Sequence, residues 1–423
     1  MFLIDKILRT RGNRILLNGS LFSLFSFINR GFIFLLLLIL ANFISPSEYG
    51  YLSLFSTVIT ILGYFICLSS EGYMSVAYFQ EGRESIKYTF STILSVGIVV
   101  TLFLLIIVFL GDDLLSKALN LPQRILYIAV LVSLFTALAN VNLDYFRLKE
   151  QVVIYGIFSC GNAFLNFIGT ILLIKFFLIG WEGRVYAQVC CAALFGLFSF
   201  FFFMKHKYVT IKIRDRIKPI LFWSIPLIPM HAANYLRQGI DRYIINYSHS
   251  IEDVGLFSFA LNIANVITMI GFGFNQSFSV DIYKLLGNDT IRNEEKKRMI
   301  RNMTNKILGL FILSSIFVTV LCYLLVPSLL PRYSESMGYF LVLSVYAFFV
   351  CYYLVYTNFL FFFKQTKVIM ILSISSSLLH LILSLLLTQY SLFFTCIVYC
   401  ISQSLFALGT HYYSLKVIKK QIV

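Results

Sequence analysis

Twelve mainly apolar runs follow one another along this chain, each long enough to cross a bilayer, with little sequence between them. A spanning helix needs about 20 such residues. The runs cover residues 15–43, 49–70, 88–110, 123–145, 152–178, 183–204, 219–246, 254–280, 303–326, 336–361, 368–388 and 391–413. Composition agrees. Of 423 residues, 59% are hydrophobic and 13% charged, against about 45–50% and about 25% in soluble domains. So few charges cannot cover a water-exposed surface, and lipid must surround the outside. The 44 Phe suit acyl chains and the 26 Tyr suit headgroup depth. The expected fold is an all-α polytopic membrane protein with about twelve transmembrane helices.

The basic residues alternate between the connections. Lys6, Arg9, Arg11 and Arg14 precede the first run. Arg83 and Lys87, Arg147 and Lys149, the stretch Lys205 to Lys218, the stretch Lys284 to Lys306, and Lys364 with Lys367 fill every second loop. Lys416, Lys419 and Lys420 follow the last run. The intervening loops hold Lys117, Arg124, Arg184 and Arg332, with Lys175 near one rim. Lys and Arg are retained in cytoplasmic loops, so both termini are expected in the cytoplasm of an inner-membrane protein. The formal net charge of +15 is thereby a topology signal, and no nucleic-acid partner is expected. The start is basic and its apolar run is too long for a cleaved signal, so the first helix is expected to direct insertion. All eight Cys lie in apolar runs without CxxC spacing or a His cluster. They read as small buried hydrophobes, and neither a metal nor a cofactor is expected.

The basic loop 205–218 divides the chain into a bundle over 1–204 and a second over 219–423. A repeat is visible across it. Asn29-Arg30-Gly31 and then Ser47-Glu48-Tyr49-Gly50-Tyr51-Leu52-Ser53 in the first half echo Arg237-Gln238-Gly239 and then Glu252-Asp253-Val254-Gly255-Leu256-Phe257-Ser258 in the second. Two such halves in the same orientation are related by an axis along the membrane normal. The sequence holds no Walker loop, GxGxxG, HExxH or GxSxG, so neither an ATP-driven pump nor an enzyme is expected.

Charges within spans are costly and need a reason. Arg30 lies inside the first run, and Arg237, Asp241 and Arg242 lie in the seventh. Arg237 and Asp241 are four apart and share a helix face, which reads either as a structural ion pair or as a gating or coupling element. A water-filled cavity reached by Arg30 and Arg237 would give two guanidinium groups to a phosphate, which Arg holds in a bidentate way. Asn29, Asn234, Tyr235 and Gln238 are candidate substrate contacts by helical proximity. Arg242 and Lys175 are candidate basic lining or rim residues. Asp144 and Arg147, three apart, read as a bridge at the end of the fourth span. Glu71 and Asp281 near helix ends are candidate proton or ion carriers. His231 and His380, the histidines inside spans, read as hydrogen-bonded packing.

The run Ala41-Asn42-Phe43-Ile44-Ser45-Pro46-Ser47-Glu48-Tyr49-Gly50-Tyr51-Leu52-Ser53 resembles the first-helix signature of bacterial polysaccharide exporters. Ser224-Ile225-Pro226-Leu227-Ile228-Pro229, then Gly239-Ile240-Asp241-Arg242-Tyr243-Ile244-Ile245, resembles their seventh. Tyr145-Phe146-Arg147-Leu148-Lys149-Glu150 and Gly180-Trp181-Glu182-Gly183 fit the same pattern in the same order. The chain thus resembles the Wzx-type O-antigen and capsule repeat-unit flippases of the multidrug/oligosaccharidyl-lipid/polysaccharide exporter superfamily. It departs at Ser279-Val280-Asp281, where relatives often carry a proline, and lacks the two further helices of peptidoglycan-lipid flippases. The resemblance implies two six-helix bundles around a central cavity. It implies alternating access for an undecaprenyl-pyrophosphate-linked oligosaccharide, coupled to a proton or sodium gradient. The implied partners are that lipid-linked glycan, membrane lipid, and polymerase and chain-length proteins. Two other readings stand beside it. A membrane-embedded polymerase or ligase needs a large outward loop, and a cation-drug antiporter of the same superfamily needs acidic groups in its cavity.

Overall fold

The computed structural model describes residues 11–66, 68, 73–74, 77–78, 82, 84–177, 179–210, 214–225, 228, 233, 235–237, 239–288 and 290–421. The helices are α1 (Arg11–Phe43), α2 (Pro46–Ile66), α3 (Ser85–Leu110), α4 (Asp112–Leu119), α5 (Gln123–Leu148), α6 (Val152–Phe177) and α7 (Gly180–Lys205). They continue with α8 (Arg214–Ser224), α9 (Asp241–Ser248), α10 (Ile251–Leu286), α11 (Asn293–Leu329), α12 (Ser336–Phe362), α13 (Thr366–Leu387) and α14 (Leu392–Gln421). One 3-10 turn, Pro331–Tyr333, precedes α12. Among the described residues there is no strand, as expected where backbone polar groups must be satisfied within each segment.

Ten of these helices are long and apolar enough to cross a membrane, and the stretch Phe27–Phe43 of α1 is a shorter apolar helix. The seventh apolar run, 219–246, is described in α8 up to Ser224, in 3-10 geometry at Ile225, as helix at residues 228, 233 and 235–237, and in α9. Helix α9 restarts at Asp241, whose carboxylate suits a helix N-terminus. The basic stretch 284–306 is mostly helical, because α11 begins at Asn293 with Glu294 and Glu295 in its first turn. Lys296 is buried there and donates to the Leu286 carbonyl at the end of α10, at 3.3 Å. Helix α10 runs without a break through Ser279-Val280-Asp281.

The chain divides into two compact units, Met1–Ile44 with Leu54–His231, and Ser45–Ser53 with Ala232–Val423. In the first unit an aromatic core gathers at one end of α3, α5, α6 and α7. Phe90 stacks on Phe203 with centroids 3.9 Å apart, and Tyr145, Phe146 and Phe158 pack edge-on around them. Asn142 donates to Ser199 at 3.1 Å within that core.

The second unit includes the opening of α2. Ser45 and Glu48 form a reciprocal capping box there, the serine backbone donating to the carboxylate at 2.9 Å and the Glu48 backbone to the serine hydroxyl at 3.3 Å. At the start of α10, Ser250 caps the helix: the Asp253 backbone donates to its hydroxyl at 3.1 Å, and that hydroxyl donates to the Asp253 carboxylate at 2.6 Å. The two capped ends pack backbone to backbone through Gly50 and Gly255. A side chain at Gly50 would strike the Ile251 carbonyl, and one at Gly255 the Pro46 carbonyl. Tyr49 completes the contact, accepting from Asn262 at 2.9 Å and packing on Phe259 and Tyr333. Helices α5 and α12 also end alike. Glu150 and Lys364 take left-handed conformations. Gln151 then donates to Phe146 and Gln365 to Leu360, the closing bond of a Schellman turn.

Candidate functional site

The second unit buries a polar cluster at the start of α9. Asp241 is fully buried. One carboxylate oxygen faces His380 Nε2 at 2.8 Å, and the other accepts from the Ser384 hydroxyl. His380, itself fully buried, meets Ser402 on α14 with Nδ1 at 2.9 Å. The chain of contacts continues. Ser384 meets Thr388 at 3.2 Å, Thr395 donates to Thr388 at 2.9 Å, and the Thr388 carbonyl meets His249 Nε2 at 2.6 Å. The ring of Tyr399 stands edge-on to His380 with centroids 4.9 Å apart. The reason these groups converge lies in α13. Ser376, His380, Ser384 and Thr388 recur every fourth residue, so they line one face, and all four are buried. Ser376 fixes that face to α14 by donating to the Ser402 carbonyl at 2.8 Å.

Chemically, this is a carboxylate and an imidazole in direct contact, away from water. A buried pair of this kind is costly to break.

Arg237 lies one turn before Asp241 and is 7% exposed. Its guanidinium sits over the Phe406 ring, 4.8 Å from the centroid, an arrangement favourable for a cation. Arg242 is half-buried and donates through Nε to Ser258 on α10 at 3.2 Å. Tyr235 is half-buried, with its ring against Gly239. Asn234, Gln238, Glu71 and His231 lie outside the described residues.

The other candidates belong to different surroundings. Arg30 is exposed on α1 in the first unit, whereas Arg237 belongs to the second. Asn29 is half-buried and its amide donates to the hydroxyl and carbonyl of Ser159, at 2.6 and 3.1 Å. Asp144 and Arg147 bridge at 2.7 Å at the end of α5, and Lys149 lies over Tyr78 and Tyr145 beside them. Lys175 and Asp281 are exposed.

The sequence alone reads His380 as hydrogen-bonded packing, without revealing Asp241 as its partner, and Arg184 as a loop charge. In the structure Arg184 is half-buried, and its Nη1 donates to the Asn166 side chain and to Thr170 on α6. In both cases the usable signal was polar residues spaced by four on apolar helices.

With this geometry in place, comparison with known proteins is informative. Residues 15–280, more than half of the chain, match the family described as "Polysaccharide biosynthesis protein". The chain belongs to that family. Residues 226–386 also match MatE. Two proteins of Haemophilus influenzae are similar in sequence. "Lsg locus putative protein 1" is 24% identical over 260 residues, covering 60% of this chain and 62% of that one. An "Uncharacterized membrane protein" is 22% identical over 274 residues, covering 63% and 64%. The chain thus spans about three fifths of the length of these curated relatives. In fold it is similar to an inward-facing multidrug resistance MATE family transporter of the MOP superfamily, with TM-score 0.72, 13% identity and 95% of each chain covered. It is also similar to the lipid II flippase MurJ in an inward closed conformation, with TM-score 0.71, 14% identity and 95% and 90% coverage. The protein is therefore an all-α, multi-pass membrane protein of the polysaccharide biosynthesis family with the MATE and MurJ fold.

Proposed function

We propose that this protein is a flippase for undecaprenyl-pyrophosphate-linked oligosaccharide repeat units, of the kind that build O-antigen or capsule. It carries them by alternating access from the cytoplasmic to the periplasmic leaflet of a bacterial inner membrane, with both termini in the cytoplasm. One observation supports the reading: a guanidinium, Arg237, is buried within the seventh apolar run of a polysaccharide biosynthesis family chain. A charge there is costly unless it serves a polar substrate, and a guanidinium suits phosphate oxygens. The headgroup must pass a region where its own charge is poorly tolerated without a polar path, while the lipid tail stays in the bilayer. No covalent step is required, and polymerase and chain-length proteins are the proposed protein partners.

Asp241 and His380 are the proposed coupling pair, and the proton is the proposed ion. A carboxylate in direct contact with an imidazole offers a path for a proton between them, whereas sodium favours a shell of oxygen ligands. The MatE match raises the cation-drug antiporter. Both carboxylate oxygens of Asp241 are engaged, by His380 and Ser384, which leaves that acid poorly placed to receive a cationic drug.

The test is made in the native strain with the gene deleted. Complete repeat units should accumulate on undecaprenyl pyrophosphate while surface polymer is lost. Arg237→Ala and Arg30→Ala should each reproduce that accumulation at normal protein level. Single repeat units still reaching the surface unpolymerised would move the function to a polymerase. Normal surface glycan in both variants would remove the phosphate role.

A further inference from the structure

A second polar site lies within the first unit, apart from the Asp241 cluster. A cavity of about 240 Å3 is lined by Asn29 and Phe32 of α1, Asn162 and Asn166 of α6, and Arg184 and Gln188 of α7. Each helix contributes residues three or four apart, so three faces converge. No carboxylate is among the lining residues. Asn162 lies ten residues into α6, about 15 Å along its axis at 1.5 Å per residue. Helix α6 is long and apolar enough to cross a hydrocarbon core of about 30 Å.

Polar side chains on spanning helices usually hold helices together, and three of the five here make such bonds. Asn29 is bonded to Ser159, and Asn166 accepts from Arg184. The others are different. The amides of Asn162 and Gln188 line the cavity without a hydrogen-bond partner among the described residues, and the same holds for Nε and Nη2 of Arg184. Structural pairing does not account for these groups, because an amide left unmet on an apolar spanning helix weakens the fold. A polar occupant does account for them.

We propose that this cavity is a saccharide subsite that takes one sugar ring, with an acidic oxygen of that ring on Arg184. The chemistry selects this ligand. Amides both donate and accept, as sugar hydroxyls do. The side-on Nε and Nη2 edge of a guanidinium fits a carboxylate. Phe32, held by Phe164 and Phe167 at centroid distances of 5.7 and 6.0 Å, offers an apolar face to ring C–H groups. The volume lies below the roughly 300–1,000 Å3 of pockets for drug-sized ligands. One residue of a glycan fits, and a whole repeat unit does not. The inference rests on the flippase reading for its biological meaning, but its test does not.

The experiment is saturation-transfer difference NMR on the full chain in lipid nanodiscs. The probes are glucuronate and N-acetylglucosamine, with inorganic pyrophosphate as competitor. Glucuronate should show saturation of its ring protons that pyrophosphate does not displace. Asn162→Leu and Gln188→Leu should each weaken it by about five-fold, the size of one lost hydrogen bond to a neutral partner. Gln188→Glu preserves side-chain size and sets a carboxylate beside Arg184. It should lose glucuronate and keep N-acetylglucosamine, which separates recognition from misfolding. Absence of any signal, signals unchanged in all three variants, or displacement by pyrophosphate would each overturn the proposal, the last by assigning the site to a lipid headgroup. Failure of the flippase reading would show instead in the deletion strain, as an unchanged pool of lipid-linked oligosaccharide, whatever the binding result.

Discussion

The Asp241–His380 contact makes a quantitative prediction about stability. Both side chains are fully buried, 2.8 Å apart, and joined across helices α9 and α13. Replacing His380 by Leu leaves one carboxylate oxygen without its partner while Ser384 still serves the other. Breaking a buried pair from one side costs about 3–5 kcal/mol. Asp241→Leu is milder, because His380 keeps Ser402 at Nδ1 and only one ring nitrogen is orphaned, a loss of about 1–3 kcal/mol. The double variant removes both buried groups. Ser384 then retains Thr388, and Ser402 retains the Tyr399 carbonyl. Its cost should fall well below the sum of the two single losses. The coupling energy should exceed about 1.7 kcal/mol, the upper end seen for interhelical hydrogen bonds in a membrane protein. The assay is SDS-induced unfolding of the purified protein in mixed micelles, followed by far-UV circular dichroism. A coupling near the membrane average of about 0.6 kcal/mol would refute the argument and reduce the contact to ordinary helix packing.

Four further outcomes follow from the local contacts. Gly255→Ala should destabilise the second unit by about 1–3 kcal/mol through overpacking, since its methyl meets the Pro46 carbonyl. Gly31→Ala, with nothing within 4 Å, should be neutral or gain up to about 1 kcal/mol of helix propensity; the same SDS titration checks both. Ser250→Ala removes the hydroxyl that caps α10 and should cost about 1 kcal/mol, read as a lower unfolding midpoint. Arg124→Ala breaks the bridge to Glu182, but the arginine is largely exposed, so the change should stay within about 1 kcal/mol.

Hydropathy reveals which residues face lipid, and for that reason most of the spanning helices were legible in the sequence. It says less about where helices end in water. The charged stretch from Lys284 to Lys306 reads as a loop, yet most of it is helix, because Glu294 and Glu295 suit a helix start and Lys296 caps the end of α10. The paired glycines of the repeat were visible, whereas the reason for them was not. Gly50 and Gly255 lie 205 residues apart and are small because their two capped helix ends touch through backbone. Counting charges for topology also misplaced Arg184. It starts near a helix end and reaches inward because Asn166 and Thr170 accept its hydrogens.

The polar sites share one pattern that composition conceals. Ser376, His380, Ser384 and Thr388 make a four-residue ladder on α13; Asn162, Asn166 and Thr170 make another on α6; Arg184 and Gln188 start a third on α7. On a soluble helix such spacing would mark the wet face and carry little information. Inside a membrane the argument reverses. Lipid offers no hydrogen bonds, so a polar stripe must turn toward protein or toward a polar cavity. One stripe alone does not say which partner it meets: Asp241 is 139 residues from His380 in sequence. What distinguishes the ladders is completion. The α13 ladder is closed by Asp241, Ser402 and Thr395, so its polar groups are met within the protein. The α6 and α7 ladders leave Asn162 and Gln188 facing a cavity, and so have the makeup of a site that awaits a ligand.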